Sequence, residues 1–308
     1  VGGGCFCSDD TQIRAVLHKQ PGCTPPAPAP PPIPFGFAKA LADSMVLASA
    51  PKQAMVWGFC DAGASVEVSL DGGAKIQAII GPDQATGALT TWRVKLPATK
   101  ASFTNHTIAA SSAGKTVTLR DVWFGEVWVC SGQSNMEYPI GTPTCWNASN
   151  INCTSGGAQC GFGCSQDAGQ TIKDMASYDA GMRLFNVGSG SSITPQAEMH
   201  GGQWSTPSAV GGAFSATCWF YGRDIYNAMP AKVPVGLIST YVGGTPVQHW
   251  TSPEGLATCA GPHSWQWPAD FMDSVLWNAM VVPLLRTVHS GVVWYQVCTV
   301  LTTQLFRL

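Results

Sequence analysis

The sequence predicts an α/β protein in which a β-sandwich domain precedes a parallel-sheet domain. Three observations predict it. Between Phe35 and about Arg120, short apolar stretches alternate with turns and show no helical period. From Asp121 onward the pattern becomes strand, loop, helix. Two of the later strands, near 130 and near 240, run straight into turns of small residues, where open α/β sheets place their chemistry.

The elements follow in order. Residues 1–34 read as a Cys-containing tail. It ends in Thr24 to Ile33 and Pro34, a stretch with prolines at 25, 26, 28, 30, 31, 32 and 34 that reads as a polyproline II spacer. Residues 35–120 read as the β-sandwich. Ala54-Met55-Val56-Trp57 is one strand. Ser65 to Leu70 alternates, with Val66, Val68 and Leu70 on one face, and Asp71-Gly72-Gly73 is a hairpin signal. Trp92 to Leu96 and Thr116 to Leu119 are further strands.

Residues 121–308 read as the parallel-sheet domain. Val127-Trp128-Val129-Cys130 is continuously apolar, as a strand covered on both faces should be. Phe214, Cys218, Tyr221, Ile225 and Met229 recur at three- and four-residue spacing and predict a helix that Pro230 closes. Val235 to Ser239 is a second buried strand, leading into Tyr241 to Pro246. Val275 to Leu285 predicts a helix and Gly291 to Gln296 a third strand. Such repetition implies a parallel sheet with helices on both faces. The stretch 141–213 is rich in Gly, Ser and Cys, and much of it reads as a cross-linked insertion.

Composition narrows the function. Charged residues are only 11% and the net charge is −2, so nucleic acid and anionic membrane surfaces are not expected partners. No apolar run reaches the length of a membrane span, and no signal peptide is visible ahead of Val1. There are 12 cysteines, none in Cys-x-x-Cys spacing, so zinc-ribbon sites are not expected. Cys145, Cys153, Cys160 and Cys164 crowd one segment. Sequons begin at Asn105, Asn147 and Asn152, candidate glycosylation sites. Two sequons inside a Cys-rich loop favour an oxidising compartment, secreted or lysosomal. The 12 tryptophans permit sugar-stacking surfaces, although most tryptophans serve as core.

The chemistry centres on Ser131-Gly132-Gln133-Ser134-Asn135-Met136. Acyl transfer needs a nucleophile, a base and donors for the oxyanion. Ser134 is the candidate nucleophile. Its own N–H, at the turn into a following helix, and the N–H of Gly243 or Gly244 are candidate oxyanion donors. A serine in such a turn is ordinarily a turn former or a helix cap; the joint pattern of strand ends sets this one apart. The motif is not Gly-x-Ser-x-Gly, because Met136 stands at the last glycine, so an α/β-hydrolase elbow is disfavoured.

Cys130 to Met136, preceded by Asp121-Val122-Trp123-Phe124-Gly125-Glu126-Val127-Trp128, resembles the signature of the sialate O-acetylesterase family, within the wider SGNH hydrolases. The likeness extends to Asp43 to Leu47 and Ala54 to Gly58. It continues through Phe214-Ser215-Ala216, Val235 to Ile238, Gly243 to Trp250, Trp277 to Met280 and Trp294-Tyr295-Gln296. The resemblance implies an SGNH-type, flavodoxin-like sheet and removal of O-acetyl groups from sialic acids or related acetylated glycans such as xylan. It also implies no metal or organic cofactor. It assigns the nucleophile to Ser134 and an oxyanion glycine to Gly243-Gly244, with Gly132, Gln133 and Asn135 in the substrate-binding turn.

The sequence then departs from the family. After Trp-Tyr-Gln the family continues with a Gly-Glu-(Ala/Ser)-Asn block and, later, an Asp-x-x-His segment that supplies the base. Here Val297-Cys298-Thr299 follows and the chain stops at Leu308. A Gln codon followed by Val-Cys is compatible with a splice donor, so residues 297–308 are expected to be intron read-through or a truncated gene model. Of the six histidines, His249, just beyond the Gly243-Gly244 turn, is the best placed to stand in for the base, but the family position is usually not His. The chain as it stands is therefore expected to be nearly inactive. The alternatives are a non-catalytic glycan-binding protein and a non-functional fragment.

Overall fold

The computed structural model describes residues 33–83, 87, 89–141, 165, 167–259 and 273–296. The proline-rich spacer up to Pro32, the cysteines at 145, 153, 160 and 164, the sequons at Asn147 and Asn152, and the segment 297–308 lie outside them. The described residues form one compact unit.

In chain order its strands are β1 (Gly36–Phe37), β2 (Val46–Ala48), β3 (Met55–Phe59), β4 (Glu67–Leu70), β5 (Ile76–Gln77) and β6 (Ile79–Pro82). Then come β7 (Thr90–Lys95), β8 (Ser102–Ser112), β9 (Lys115–Gly132), β10 (Met182–Asn186), β11 (Trp204–Ser205), β12 (Val235–Tyr241) and β13 (Gly291–Tyr295). Among the described residues, the α-helices of eight residues or more are α1 (Ala168–Met175) and α2 (Ala216–Ala228).

One antiparallel sheet has the order β1-β3-β7-β6. It packs on the antiparallel β5-β4-β8-β9 run: Trp57, Trp92 and Val94 share a core with Val66, Val68, Ile108 and Ala110. This is the sandwich that the alternating strands predict. β9 then does a second job. Its first residues pair antiparallel with β8, and its last seven, Glu126 to Gly132, pair parallel with β12. The position expected to separate the two domains, 120–121, thus falls inside a strand of 18 residues. The chain bends there, at Asp121, whose φ is +53°.

The parallel sheet runs β10-β12-β9-β13, with β11 antiparallel on β10. Alternate residues of each strand enter different cores, as the two-residue period requires. Leu184, Leu237 and Cys130 face the core built with Ile172 and Met175 of α1 and Cys218 and Trp219 of α2. Phe185, Ile238 and Val127 face a core that holds Val275, Leu276 and Met280 together with the sandwich. Both faces are therefore covered, which explains the continuous apolar runs in the sequence.

Three elements differ in detail from expectation. The helix predicted over 214–229 is α2, capped by Ser215, whose hydroxyl accepts the Cys218 N–H at 3.1 Å. The helix predicted over 275–285 is wound wide over Trp277–Val281 and tight over Val282–Leu284. Pro283 causes this, since it has no N–H to donate and its ring crowds the preceding turn. Most consequential, β10 lies within the stretch assigned to an insertion. It carries the buried Arg183, whose guanidinium stands 3.6 Å from the Trp123 ring centre and 3.6 Å from Asp121.

Between β10 and β11, Glu198 accepts the Lys39 backbone N–H on both carboxylate oxygens, at 3.2 and 3.1 Å. Burial pushes the pKa of Glu198 up to about 7, against the lowering effect of Lys39. The sign follows from linkage. An ordinary carboxyl near 4.5 loses its proton in the unfolded chain first, while the folded chain keeps it until about 7. Stability from this group is complete below about pH 4.5 and is lost as pH rises towards 7. The Glu198→Gln variant should lack that component. Its Tm should gain on the wild type steadily between these limits in a pH series, and two parallel Tm–pH curves would refute the assignment.

Candidate active site

Three strand ends meet in one row. Gly132 of β9 lies opposite Tyr241 of β12 on one side and Tyr295 of β13 on the other. From β9 the chain leaves towards β10, past β12. From β12 it leaves the opposite way, across β9, to β13. The carboxyl ends of β9 and β12 are thus a point where outgoing connections diverge, the place where open α/β sheets form a binding crevice.

Local chemistry shapes the turn at that point. Gly132 has φ +148°, and a Cβ built on it would lie 2.1 Å from the Tyr295 carbonyl oxygen. Only glycine lets the two strands approach so closely. The Gln133 N–H donates to that same carbonyl at 3.2 Å, which ties the turn to β13. A single helical turn, Ser134–Glu137, follows directly. Its Met136 is fully buried and anchors it.

Ser134 is half-buried and lies two residues beyond the row. Gly243 lies two residues beyond the same row on β12, and the two meet: a Cβ on Gly243 would stand 3.4 Å from the Ser134 Cβ. The structure therefore brings together Ser134 and one glycine of the Gly243-Gly244 turn. Gly244 is exposed with φ +73°, and nothing lies within 4 Å of where its Cβ would be. Asn135 is exposed and its carbonyl accepts the Thr217 hydroxyl at 3.1 Å. Gln133 is buried. His249 is buried in the turn Val247–Trp250 beyond the glycines. Among the described residues, none forms a hydrogen bond with the Ser134 hydroxyl.

Sequence reasoning missed Glu137. It sits three residues after Ser134, one helical turn on, and its carboxylate accepts the Gly243 N–H at 2.5 Å. The donor expected to face an oxyanion is thus occupied by a negatively charged oxygen of the chain itself. That contact shows the N–H is aimed at a place where negative charge settles. The spacing from Ser134 was visible in the sequence, but its partner is 106 residues away. Nearby, burial pushes the Tyr241 phenol up and keeps it protonated.

Beneath the turn, Cys130 and Cys218 form a buried disulfide joining β9 to α2. Among the described residues, no three His, Cys, Asp or Glu side chains gather as a metal would require. Nor is any described helix long and apolar enough to cross a membrane. The sequon residue Asn105 is exposed on β8, where its side-chain oxygen accepts the Trp123 indole N–H at 2.7 Å.

Comparison with known proteins gives a consistent picture. No family model matches the chain. The sialate O-acetylesterase of Homo sapiens is 33% identical over 282 residues, which span 85% of this chain and 48% of that protein. That of Rattus norvegicus is 32% identical over 310 residues, covering 85% of this chain and 52% of its own length. Among solved structures, a carbohydrate acetylesterase from Xanthomonas citri superposes with a TM-score of 0.64 at 27% identity, over 85% of this chain and 51% of that one. The chain thus spans about half the length of the relatives it matches.

Proposed function

This chain is kin to the sialate O-acetylesterases over 85% of its length, and on that premise we propose that it carries the nucleophile half of a carbohydrate O-acetylesterase site. The observation that carries the reading is the meeting of Ser134 with Gly243 at the diverging ends of β9 and β12. Ser134 Oγ attacks the acetyl carbonyl and its proton passes to a base. The carbonyl π electrons move onto oxygen, where the Gly243 N–H stabilises the charge once the Glu137 carboxylate swings aside. Collapse expels the sugar oxygen, which takes up the proton. Water then releases acetate from Ser134 by the same steps.

Among the described residues none hydrogen-bonds the Ser134 hydroxyl, so the reading assigns the base to a segment equivalent to the half of the relatives' length that this chain does not span. O-acetylated sialic acid is the proposed substrate, and acetylated xylan is the alternative. The buried disulfide supports an oxidising compartment, secreted or lysosomal, in which Asn105 would be a glycan acceptor.

The test is acetate release from a 9-O-acetylated sialic acid and from acetylated xylan. It is run on this chain and on a chain extended to the relatives' length. Extension should raise turnover by orders of magnitude, and Ser134→Ala in the extended chain should remove about 10⁶ of it. Undiminished turnover in Ser134→Ala would overturn the nucleophile. A second reading, glycan binding without hydrolysis, is favoured by the Glu137 carboxylate sitting on the oxyanion donor. Extended protein that binds acetylated glycans and releases no acetate would establish it.

A further inference from the structure

The sequon Asn105-His106-Thr107 lies on β8, in the sandwich. β4 pairs with β8 over Ile108 to Ser111, short of Asn105. The pairing of β8 with β9 is irregular between Ser102 and Ile108. Phe103, Thr104 and Asn105 are accordingly exposed in succession. A single exposed aromatic residue is ordinary. Phe103, 39% exposed, is set apart by what it shares with the asparagine two residues on.

Both side chains meet the indole of Trp123. The Asn105 Oδ1 accepts the Trp123 N–H at 2.7 Å. Phe103 lies against the same indole edge to face, with ring centres 5.7 Å apart. Trp123 is 6% exposed and fixed from inside, since the Arg183 guanidinium stands 3.6 Å from its ring centre. The indole thus sets the exposed ring and the exposed amide side by side. The amide is held by its oxygen, and among the described residues its nitrogen has no hydrogen-bond partner.

N-linked transfer leaves that arrangement intact. The anomeric carbon of an oligosaccharide carried on a polyprenyl diphosphate breaks its bond to the diphosphate oxygen and bonds to Asn105 Nδ2. The nitrogen gives up one proton, and the diphosphate departs with the electron pair of the broken C–O bond. Oδ1 takes no part, so it still accepts the Trp123 N–H. The sugar then begins beside Phe103, whose negative π face suits the apolar C–H face of a pyranose. We propose that Asn105 carries an N-linked glycan and that its first N-acetylglucosamine packs on Phe103. The contact extends a stack that runs inward through Trp123 to Arg183, beside Asp121, where β9 bends from the sandwich into the parallel sheet. The glycan therefore covers Phe103 and braces the joint between the sheets. Occupancy in the native setting rests on the secreted or lysosomal placement proposed above; the packing does not.

The test supplies that setting. The full chain is secreted from a eukaryotic host behind a cleavable leader, and the tryptic peptide Ala101 to Lys115, which holds no other sequon, is analysed by mass spectrometry. It should carry a glycan. The glycan is then trimmed to one N-acetylglucosamine, and Tm is compared with that of Asn105→Asp, which keeps an oxygen for Trp123. The sugar should raise Tm by about 2 °C or more, the scale of one aromatic contact. In Phe103→Ala the same comparison should show no rise. Taking the difference of differences cancels the aspartate charge and any glycan elsewhere on the chain. Phe103→Leu, which keeps apolar bulk without the ring, decides if Phe103→Ala is not secreted. An unoccupied Asn105 in the secreted chain overturns the proposal. So does a sugar that leaves Tm unchanged, or raises it equally with and without the ring. A glycan on the secreted chain but none on the protein from its native source overturns the compartment and upholds the packing.

Discussion

Gly132→Ala is expected to destabilise the protein by about 4 kcal/mol, the sum of a strained left-handed φ and an overpacked contact. The two causes are separable. The backbone has φ +148°, which an L side chain rarely adopts, and the new methyl would lie 2.1 Å from the Tyr295 carbonyl. Relief requires β13 to move away from β9, which breaks the Gln133 N–H bond to the same carbonyl. Gly244→Ala is the control. It also has positive φ, +73°, but open space around it, so strain alone should cost about 1–2 kcal/mol. Urea denaturation of both variants measures the difference. Equal midpoints would show that strand crowding at Gly132 has no role. Ser134 lies two residues on, so the same displacement should also remove whatever esterase activity the extended protein shows.

The second large effect concerns the disulfide. Cys130 and Cys218 are separated by 88 residues. On the chain-entropy model, opening a loop of that size costs about 4–5 kcal/mol through the unfolded state. The Cys130→Ala/Cys218→Ala variant should therefore melt far below the wild type under oxidising conditions, and the gap should close when the wild type is reduced. Cys60→Ala, at a buried but unbridged cysteine, should differ from the wild type by the same amount with and without reductant. A double variant as stable as oxidised wild type would remove the disulfide from any account of how the nucleophile turn is held.

Much of the scaffold was legible in the residues, for a simple reason. β9, β12 and β13 read as apolar runs because helices and sandwich cover both faces of the sheet. The β4 alternation and the α2 periodicity likewise record one buried face each. Ser134, Gly132 and the Gly243-Gly244 turn were marked because small residues gather where strands end.

What stayed hidden depends on partners far away in sequence. β10 did not read as a strand, because the charged Arg183 interrupts its apolar run. That arginine is tolerated inside because Trp123, Asp121 and the carbonyls of Asp179 and Met182 receive it. The domain boundary expected near 120 met a strand that passes through it, since pairing with β8 and then with β12 and β13 keeps the backbone satisfied along its whole length. The pairing of Cys130 with Cys218 could not be chosen among 12 cysteines without coordinates.

Local pattern, then, specified the strands, the helix and the turn that holds Ser134, because periodicity and small-residue turns act over a few residues. Folding alone decided which turns face each other. It set Gly243 against Ser134, aimed the Gly243 N–H at Glu137, and brought Asp83 to Arg286. Those contacts join residues from 106 to about 200 positions apart, and no short-range signal encodes a meeting at that distance.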